Sequence, residues 1–183
     1  KEFKPLDNIE RDRWQIMATA SADQPLKGLR FLLLAFAKLS EKYPELHLLL
    51  VSQPKAGGET EKLVKQLGIG DKIQFVHGIS TATMVEHYAR SSIAVVPSIY
   101  EGFGLPAGEA MACGVPVIAT DGGALPEVVG QAGITVPIKD ADAIATAIEK
   151  LLSNHKAREH YGQLGRKRIE NKFSWQLVAE QMS

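Results

Sequence analysis

Three charged side chains in this sequence lie beside glycines in a pattern that suggests ligand binding. Lys27 directly precedes Gly28, and a glycine-rich loop separates Glu101 from Glu109. Glycines let a backbone approach a ligand closely, lysine pairs with phosphate as a point charge, and carboxylate oxygens accept hydroxyl hydrogens. These residue types favour a site for a phosphorylated ligand that also carries hydroxyl groups.

The loop after the first glutamate is predicted to lead into a short helix. It contains Gly102, Phe103, Gly104 and Leu105, and the helix is predicted to start near residue 106, where a proline suits the first turn. A helix N-terminus carries unbonded amides and attracts anions. We therefore expect the amides of residues 103–105 to bind sugar or phosphate oxygens. The simpler alternatives are a surface lysine at 27, a solvated loop acid at 101, and at 109 a carboxylate that stabilises the helix dipole.

Strands and helices alternate along the chain, which indicates a parallel sheet. Buried-strand patterns cover residues 14–19, 46–51, 72–76, 93–96, 116–119 and 133–136. Helices are predicted over residues 29–42, 59–67, 81–90, 106–113, 141–152 and 156–172, with Thr81 and Asp140 as caps, and a last helix begins at Trp175 after the cap Ser174. The fold class is therefore α/β: a Rossmann-like parallel sheet with helices on both faces, over residues 14–183, with residues 1–13 as a linker.

Ligands of such sheets bind beyond the carboxyl ends of the strands. Four predicted loops lie there: residues 19–28, the pair His77 and Gly78, residues 100–104, and residues 120–123. Because one crevice can collect all four loops, His77, Gly78 and Gly28 join the candidate binding residues. Gly122 and Gly123 are interpreted as plain turn residues.

Composition excludes several classes of protein. The 183 residues carry a formal net charge of +0, which gives no electrostatic case for a nucleic-acid partner. The single cysteine, Cys113, cannot form an internal disulfide, fits a reducing cytoplasm and is interpreted as an inert core thiol. The longest apolar run, residues 31–37, is far shorter than the roughly 20 residues that span a bilayer. The glycine spacing does not match a dinucleotide fingerprint, and the carboxylates at 140 and 142 indicate helix capping rather than a metal site.

The glycine-rich segment also resembles a known signature. From residue 101 it reads EGFGLPAGEAMACGVPV, which is similar to the signature of group 1 (family 4) retaining glycosyltransferases, where seven residues separate two glutamates. The resemblance extends upstream to Lys27 and Gly28 and downstream to GGALPE at residues 122–127, and it covers nearly the whole chain.

This resemblance implies the donor-binding C-terminal domain of a GT-B enzyme, which binds a nucleotide-diphosphate sugar and transfers the glycosyl group with retention of configuration. It implies that Lys27 contacts the diphosphate, that Glu109 binds the ribose diol, and that Glu101 holds the donor sugar and stabilises a cationic transition state. The family usually places an arginine a few residues before the lysine, whereas this chain has ASAD at residues 20–23.

The partners follow from the same resemblance. The donor is a substrate, so no cofactor and no metal are predicted, and the acceptor-binding N-terminal domain is predicted to be absent from this chain. We predict a cytoplasmic location and leave open a peripheral membrane association of the full-length enzyme. Two alternatives stay open: a non-catalytic nucleotide-sugar binding module, and half of a GT-B-like epimerase or phosphorylase.

Overall fold

A computed structural model describes residues 2–172, and within them six strands form one sheet. The strands are β1 (Asp12–Ala18), β2 (His47–Val51), β3 (Ile73–Val76), β4 (Ser91–Val96), β5 (Val117–Thr120) and β6 (Ile134–Val136). The α-helices in this part of the chain are α1 (Leu29–Lys42), α2 (Glu59–Leu67), α3 (Thr81–Arg90), α4 (Leu105–Ala112), α5 (Leu125–Val129), α6 (Ala141–Leu152) and α7 (His155–Lys172). The predicted last helix at Trp175 and its cap Ser174 lie outside the described residues.

The strand order places β1 and β4 side by side at the centre of the sheet. The order is β3-β2-β1-β4-β5-β6, and every neighbouring pair is parallel. The chain moves outward from β1 through β2 to β3, then returns to place β4 on the other side of β1. This reversal opens a crevice beyond the ends of β1 and β4, where doubly wound sheets bind ligands. The predicted Rossmann-like fold is confirmed.

Successive strand residues pack into two separate cores, one on each face of the sheet. In β4, Ile93 and Val95 face the core formed with α1 and α6, whereas Ala94 and Val96 face the core formed with α4 and α5. A parallel sheet covered on both faces has strands that are nearly continuous apolar runs. This is why most strands could be predicted from apolar runs in the sequence.

Several element boundaries differ from the prediction. The strand β4 begins at Ser91 rather than at 93, because Ser91 and Ser92 are buried polar residues with partners inside the fold. The Ser92 hydroxyl donates to the carbonyl oxygens of Arg13 at 2.8 Å and Gln15 at 3.1 Å. Hydrogen bonding removes the cost of burying a hydroxyl, so a polar pair can open a central strand.

The lead-in and two helix caps also differ in detail. The strand β1 begins at Asp12 rather than at 14, and Phe3 and Leu6 of the preceding segment pack against the core. The cap of α3 is Ser80, whose hydroxyl accepts the Thr83 amide at 3.1 Å, instead of the predicted Thr81. Asp140 is confirmed as the cap of α6, since its carboxylate accepts the Ala143 amide at 2.8 Å.

Candidate active site

Two loops meet beyond the ends of the central strands and form the floor of the crevice. The backbone amides of Ile99 and Tyr100, after β4, donate to the carbonyl oxygen of Leu26, after β1, at 2.9 and 3.4 Å. Gly28 makes this approach possible, because its φ is +64° and a Cβ there would lie 1.9 Å from the Pro97 carbonyl oxygen. The close packing of the two loops therefore explains why residue 28 is a glycine. Its predicted contact with a ligand stays a prediction.

The meeting of these loops brings together the two residues predicted to be catalytic. Lys27 Nζ lies 3.1 Å from Glu101 Oε2, and the Ser98 hydroxyl donates to the same oxygen at 3.1 Å. The side chain of Glu101 is only 12% exposed, against 32% for Lys27. Among the described residues, none donates a hydrogen bond to Glu101 Oε1. That oxygen is therefore available to a ligand hydroxyl.

The helix α4 starts beside this ion pair and presents backbone amides. Gly104 caps it with a φ of +67°, and the first helical residue is Leu105, one position before the predicted start. Within residues 2–172, the amides of Phe103, Gly104 and Leu105 donate no hydrogen bond. The Phe103 and Leu105 side chains are 82% and 65% exposed. Unbonded amides and the positive end of the helix dipole point to an anion at this end of α4.

Two residues interpreted as plain turn positions hold the Glu101 loop in place. Gly123 has a φ of +59°, and a Cβ there would lie 2.2 Å from the Glu101 carbonyl oxygen. A Cβ on Gly122 would lie 2.5 Å from the Ile99 carbonyl oxygen, and the Ala124 amide donates to the Glu101 carbonyl at 2.8 Å. The interpretation as simple turn residues was incomplete, because only glycine fits against the Glu101 loop. The sequence signal was two adjacent glycines one residue after the end of β5.

Glu109 lies on the second turn of α4 and faces a buried tyrosine. The Tyr88 hydroxyl donates to Glu109 Oε2 at 3.4 Å and lies 3.4 Å from the Thr19 hydroxyl in the loop after β1. Tyr88 is 1% exposed, and its burial raises the pKa of the phenol far above neutrality, so it stays a donor. Burial likewise raises the pKa of Glu109, and the Tyr88 hydrogen bond counteracts that shift. Tyr88 was not among the predicted site residues, because in the sequence it is one of the apolar positions of the helix over residues 81–90.

Comparison with known proteins decides what kind of crevice this is. A family model described as glycosyl transferases group 1 matches residues 3–168. This chain belongs to that family. The predicted resemblance is confirmed, and the crevice is that of a group 1 glycosyl transferase.

Individual relatives of this group 1 chain agree with the match. It is 42% identical to the MMP alpha-(1->4)-mannosyltransferase of Mycolicibacterium hassiacum over 185 residues, which cover 99% of this chain and 44% of that protein. The structure of sucrose-phosphate synthase from Thermosynechococcus elongatus is 35% identical with a TM-score of 0.85, over 99% of this chain and 48% of that one. The C-terminal domain of the group 1 protein LpcC from Francisella tularensis is 28% identical with a TM-score of 0.82, over 94% and 96%. The chain therefore spans about half the length of the full-length relatives it matches.

Other predicted features of the group 1 site stand apart from the ion pair. His77 and Gly78 follow β3, which lies at the edge of the sheet and is separated from β1 by β2. Within residues 2–172 the His77 side chain forms no hydrogen bond or ion pair. The structure does not join these two residues to Lys27 and Glu101, and their contact with a ligand stays a prediction.

The segment where group 1 enzymes usually carry an arginine has a structural role here. Ala20 and Ala22 are buried in the core. The Asp23 carboxylate accepts the amides of Lys55 at 2.8 Å and Thr60 at 2.9 Å, which ties the loop after β1 to the start of α2. No residue of this segment supplies a cation, so Lys27 is the positive side chain that the loop brings to Glu101.

Three further observations concern the described part of the chain. Cys113 is fully buried and burial raises the pKa of its thiol to about 12, which agrees with an inert core cysteine. Within residues 2–172 no three His, Cys, Asp or Glu side chains cluster closely enough to hold a metal ion. In the same residues no helix combines the length and the apolar character needed to cross a bilayer.

Proposed function

We propose that this chain is the donor-binding half of a retaining glycosyltransferase, with the diphosphate of a nucleotide sugar in the crevice between β1 and β4. The observation that carries the proposal is the contact of Lys27 Nζ with Glu101 Oε2 at 3.1 Å, directly beside the unbonded amides of α4. A cation, a partly unbonded carboxylate and a helix N-terminus suit a molecule that carries phosphate and sugar hydroxyls together.

The diphosphate is bound by two sources of positive charge. Lys27 pairs with phosphate oxygens as a point charge, and the amides of Phe103, Gly104 and Leu105 bind oxygens at the positive end of α4. When the glycosidic bond to the leaving phosphate breaks, the same groups stabilise the developing negative charge. This arrangement calls for no metal and no cofactor beyond the donor itself.

The two glutamates bind the remaining parts of the donor, Glu109 the ribose and Glu101 the sugar. Glu109, positioned by Tyr88, accepts hydrogens from the two ribose hydroxyls. Glu101 Oε1 accepts a hydroxyl of the donor sugar, and the carboxylate charge favours the positive charge that develops on that sugar in the transition state. Retention of configuration is part of the proposal, and the resemblance of residues 101–117 to the signature of retaining enzymes supports it.

The comparisons support a transferase and an enzyme larger than this chain. The mannosyltransferase relative is named for glycosyl transfer, and this chain spans 44% of it. We propose that an upstream half supplies the acceptor pocket, that the enzyme works in the cytoplasm, and that nucleic acid is not a partner. A peripheral membrane association of the whole protein stays open.

The first test is the change Lys27→Ala, measured by calorimetry with a nucleoside and its diphosphate. The variant deletes a charge-assisted contact worth about 1.5–3 kcal/mol, so we expect diphosphate affinity to fall roughly tenfold or more while nucleoside affinity is unchanged. The matched control is Lys62→Ala, an exposed lysine on α2 that pairs with Glu59. Equal losses for both ligands would assign Lys27 to the fold or to the base pocket.

A further inference from the structure

A basic cavity lies at the amino ends of the central strands β1 and β4, opposite the donor crevice. It has a volume of about 250 Å³, and its lining comprises Arg11, Arg13, Ser92, Gly114, Pro116, His155, Arg158 and Glu159. Arg13 belongs to the start of β1 and Ser92 to the start of β4, while the donor crevice lies beyond the carboxyl ends of the same strands. The cavity and the donor site therefore lie at opposite ends of β1 and β4, separated by the length of these strands.

Two guanidinium groups converge on one oxygen in the wall of this cavity. Arg13 Nη2 and Arg158 Nη1 donate to the carbonyl oxygen of Leu152, the last residue of α6, at 3.1 and 3.0 Å. The guanidinium of Arg13 also lies 4.7 Å from the ring centre of Trp14, which helps to fix its position. Arg158 Nη1 also donates to the carbonyl oxygen of Leu151 at 2.7 Å, so two like charges meet at the end of α6.

Helix capping accounts for only part of this arrangement. The C-terminus of a helix carries roughly half a negative charge, which one cation already offsets. Arg11 is held separately, by the carbonyl oxygens of Tyr88, Ser91, Cys113 and Gly114. Burial, followed by the charge of Arg13, lowers the pKa of Arg158, and the carboxylate of Glu159 partly offsets this effect.

The lining holds three arginines against a single acidic side chain. Glu159 is the acidic residue in the lining, and its carboxylate lies 3.3 Å from His155 Nε2 at an exposed position. Within residues 2–172, Arg13 Nε and Nη1 and Arg158 Nε donate no hydrogen bond. Planar guanidinium forks with uncommitted donors match the oxygens of a phosphate group.

We propose that this cavity binds the phosphate group of a small phosphate ester, held jointly by Arg13 and Arg158 with Arg11 adding positive charge. The site is independent of the donor assignment, because none of its lining residues belongs to the crevice between β1 and β4. Because the cavity lies at the amino ends of β1 and β4, the donor crevice stays open while the phosphate is bound.

The test is a nuclear magnetic resonance titration of the 183-residue chain with inorganic phosphate and then with glycerol 3-phosphate. We expect shifts of the Arg13 and Arg158 Nε signals and of the Ser92 and Gly114 amides. In the variant Arg13→Gln, which removes an exposed side chain with one hydrogen bond to the fold, phosphate affinity at this cavity should fall about tenfold or more.

Two controls separate this site from the donor crevice. Lys27→Gln removes the proposed diphosphate contact and should leave the shifts at Arg13 and Arg158 unchanged. Arg30→Gln removes an arginine of α1 outside the cavity and should also leave them unchanged. If phosphate shifts only signals near Lys27 and Gly104, or if Arg13→Gln binds as tightly as the parent chain, the proposal is wrong. Should Arg13→Gln unfold, Arg13→Lys keeps the charge but loses the fork, and its affinity should fall by a smaller factor.

A phosphate ester can come from solution or from a lipid headgroup, and a second arm distinguishes the two. Vesicles of phosphatidylcholine with and without phosphatidic acid are sedimented with the parent chain and with Arg13→Gln. Retention on phosphatidic acid that is lost in the variant indicates a lipid source, whereas glycerol 3-phosphate binding without retention indicates a soluble ester. Absence of cavity shifts in the titration, together with no retention on phosphatidic acid that depends on Arg13, overturns the proposal.

Discussion

At the scale of single residues, the site is built on a lysine that already has a partner. Lys27 and Glu101 are 74 positions apart in sequence and form an ion pair at the floor of the crevice. A partly exposed pair of this kind is worth about 0.2–1 kcal/mol. A diphosphate carries more charge than one carboxylate, so it can compete for Lys27 at little cost to the fold.

This pairing leads to an expectation about Glu101→Gln. The variant frees Lys27 and removes a negative charge near the proposed phosphate position, so we expect bare nucleoside diphosphate to bind about two- to fivefold more tightly. In a protein that also carries the proposed upstream half, the same variant should lower turnover more than donor affinity, because the proposed role of the carboxylate is in the transition state. Calorimetry and steady-state kinetics measure the two effects.

The control for Glu101→Gln is Glu41→Gln, an exposed carboxylate near the end of α1. It should change neither quantity. Glu109→Gln removes the proposed ribose acceptor and is expected to weaken the bare diphosphate. If Glu101→Gln weakens that ligand as much, then both glutamates serve the nucleotide or the folding of the loop, and the sugar assignment of Glu101 fails.

Tyr88 gives a second expectation at this scale, which concerns pH. Burial raises the pKa of Glu109, and the Tyr88 hydroxyl lowers it again. In Tyr88→Phe the pKa of Glu109 should therefore rise further, so that the carboxylate is lost at a higher pH. We expect nucleoside diphosphate binding to weaken as pH falls through this pKa, and to begin weakening at a higher pH in Tyr88→Phe.

Calorimetry across a pH series measures this shift in Tyr88→Phe. The matched control is Tyr43→Phe, which removes a hydroxyl that donates at 2.7 Å to Glu149, between α1 and α6. It should leave the binding profile in place. Superimposable profiles for Tyr88→Phe and the parent chain would show that Tyr88 does not position Glu109.

At the scale of elements, arginines of the basic helix α7 bind the carbonyl oxygens at the ends of three other helices. Arg158 donates to the last carbonyl oxygens of α6, Arg166 to that of Ala112 at the end of α4, and Arg168 to those of Glu127 and Val128 in α5. Cations are favourable at helix C-termini. A helix over residues 156–172 was predicted, but its use in capping three other helices depends on contacts between distant parts of the chain.

Asp23 links two loops at the element scale and makes stability depend on pH. Backbone hydrogen bonds from Lys55 and Thr60 lower the pKa of Asp23, so its contribution is present above the unfolded value, near 4, and is lost as pH falls through the lower folded value. We expect Asp23→Asn to be less stable than the parent chain at pH 7 and the difference to shrink below about pH 4.

Urea unfolding at a series of pH values measures the Asp23 effect. Asn also tolerates the φ of +59° found at this position, so backbone strain does not confuse the comparison. The control Asp71→Asn changes an exposed acid in a short turn after α2 and should give no pH-dependent difference. A gap between Asp23→Asn and the parent chain that stays constant with pH would contradict the assigned role.

The elements were predictable because each carries a local signal, whereas the site was predictable only in part. Continuous apolar runs mark strands such as β2, and Gly68 marks the end of α2. The approach of Ile99 to Leu26 and the space that Gly123 leaves for Glu101 join residues far apart in sequence. No local pattern encodes such distances, so the ion pair and the role of Tyr88 became visible only in the folded chain.

At the scale of the whole molecule, the crevice has an uncovered apolar rim. Four large hydrophobic side chains around it are more than half exposed: Leu26, Tyr100, Phe103 and Leu105. They follow β1 and β4, in the same loops as Lys27 and Glu101. A second body that packs against this rim would exclude water from the ion pair and strengthen its electrostatic effect on a bound donor.

The last expectation concerns what this chain does alone. With the rim open and the proposed acceptor pocket outside the chain, it should bind a nucleoside diphosphate weakly, at micromolar to millimolar Kd or about −8 to −4 kcal/mol, and should transfer no sugar. A longer natural protein that includes an upstream half should bind the donor more tightly and transfer it, because closure positions donor and acceptor together. Calorimetry and product analysis on both proteins test this, with Glu101→Gln in the longer protein as the control for genuine turnover. Sustained transfer by the short chain would contradict the half-enzyme proposal, and donor binding without transfer by the longer protein would favour a non-catalytic binding module.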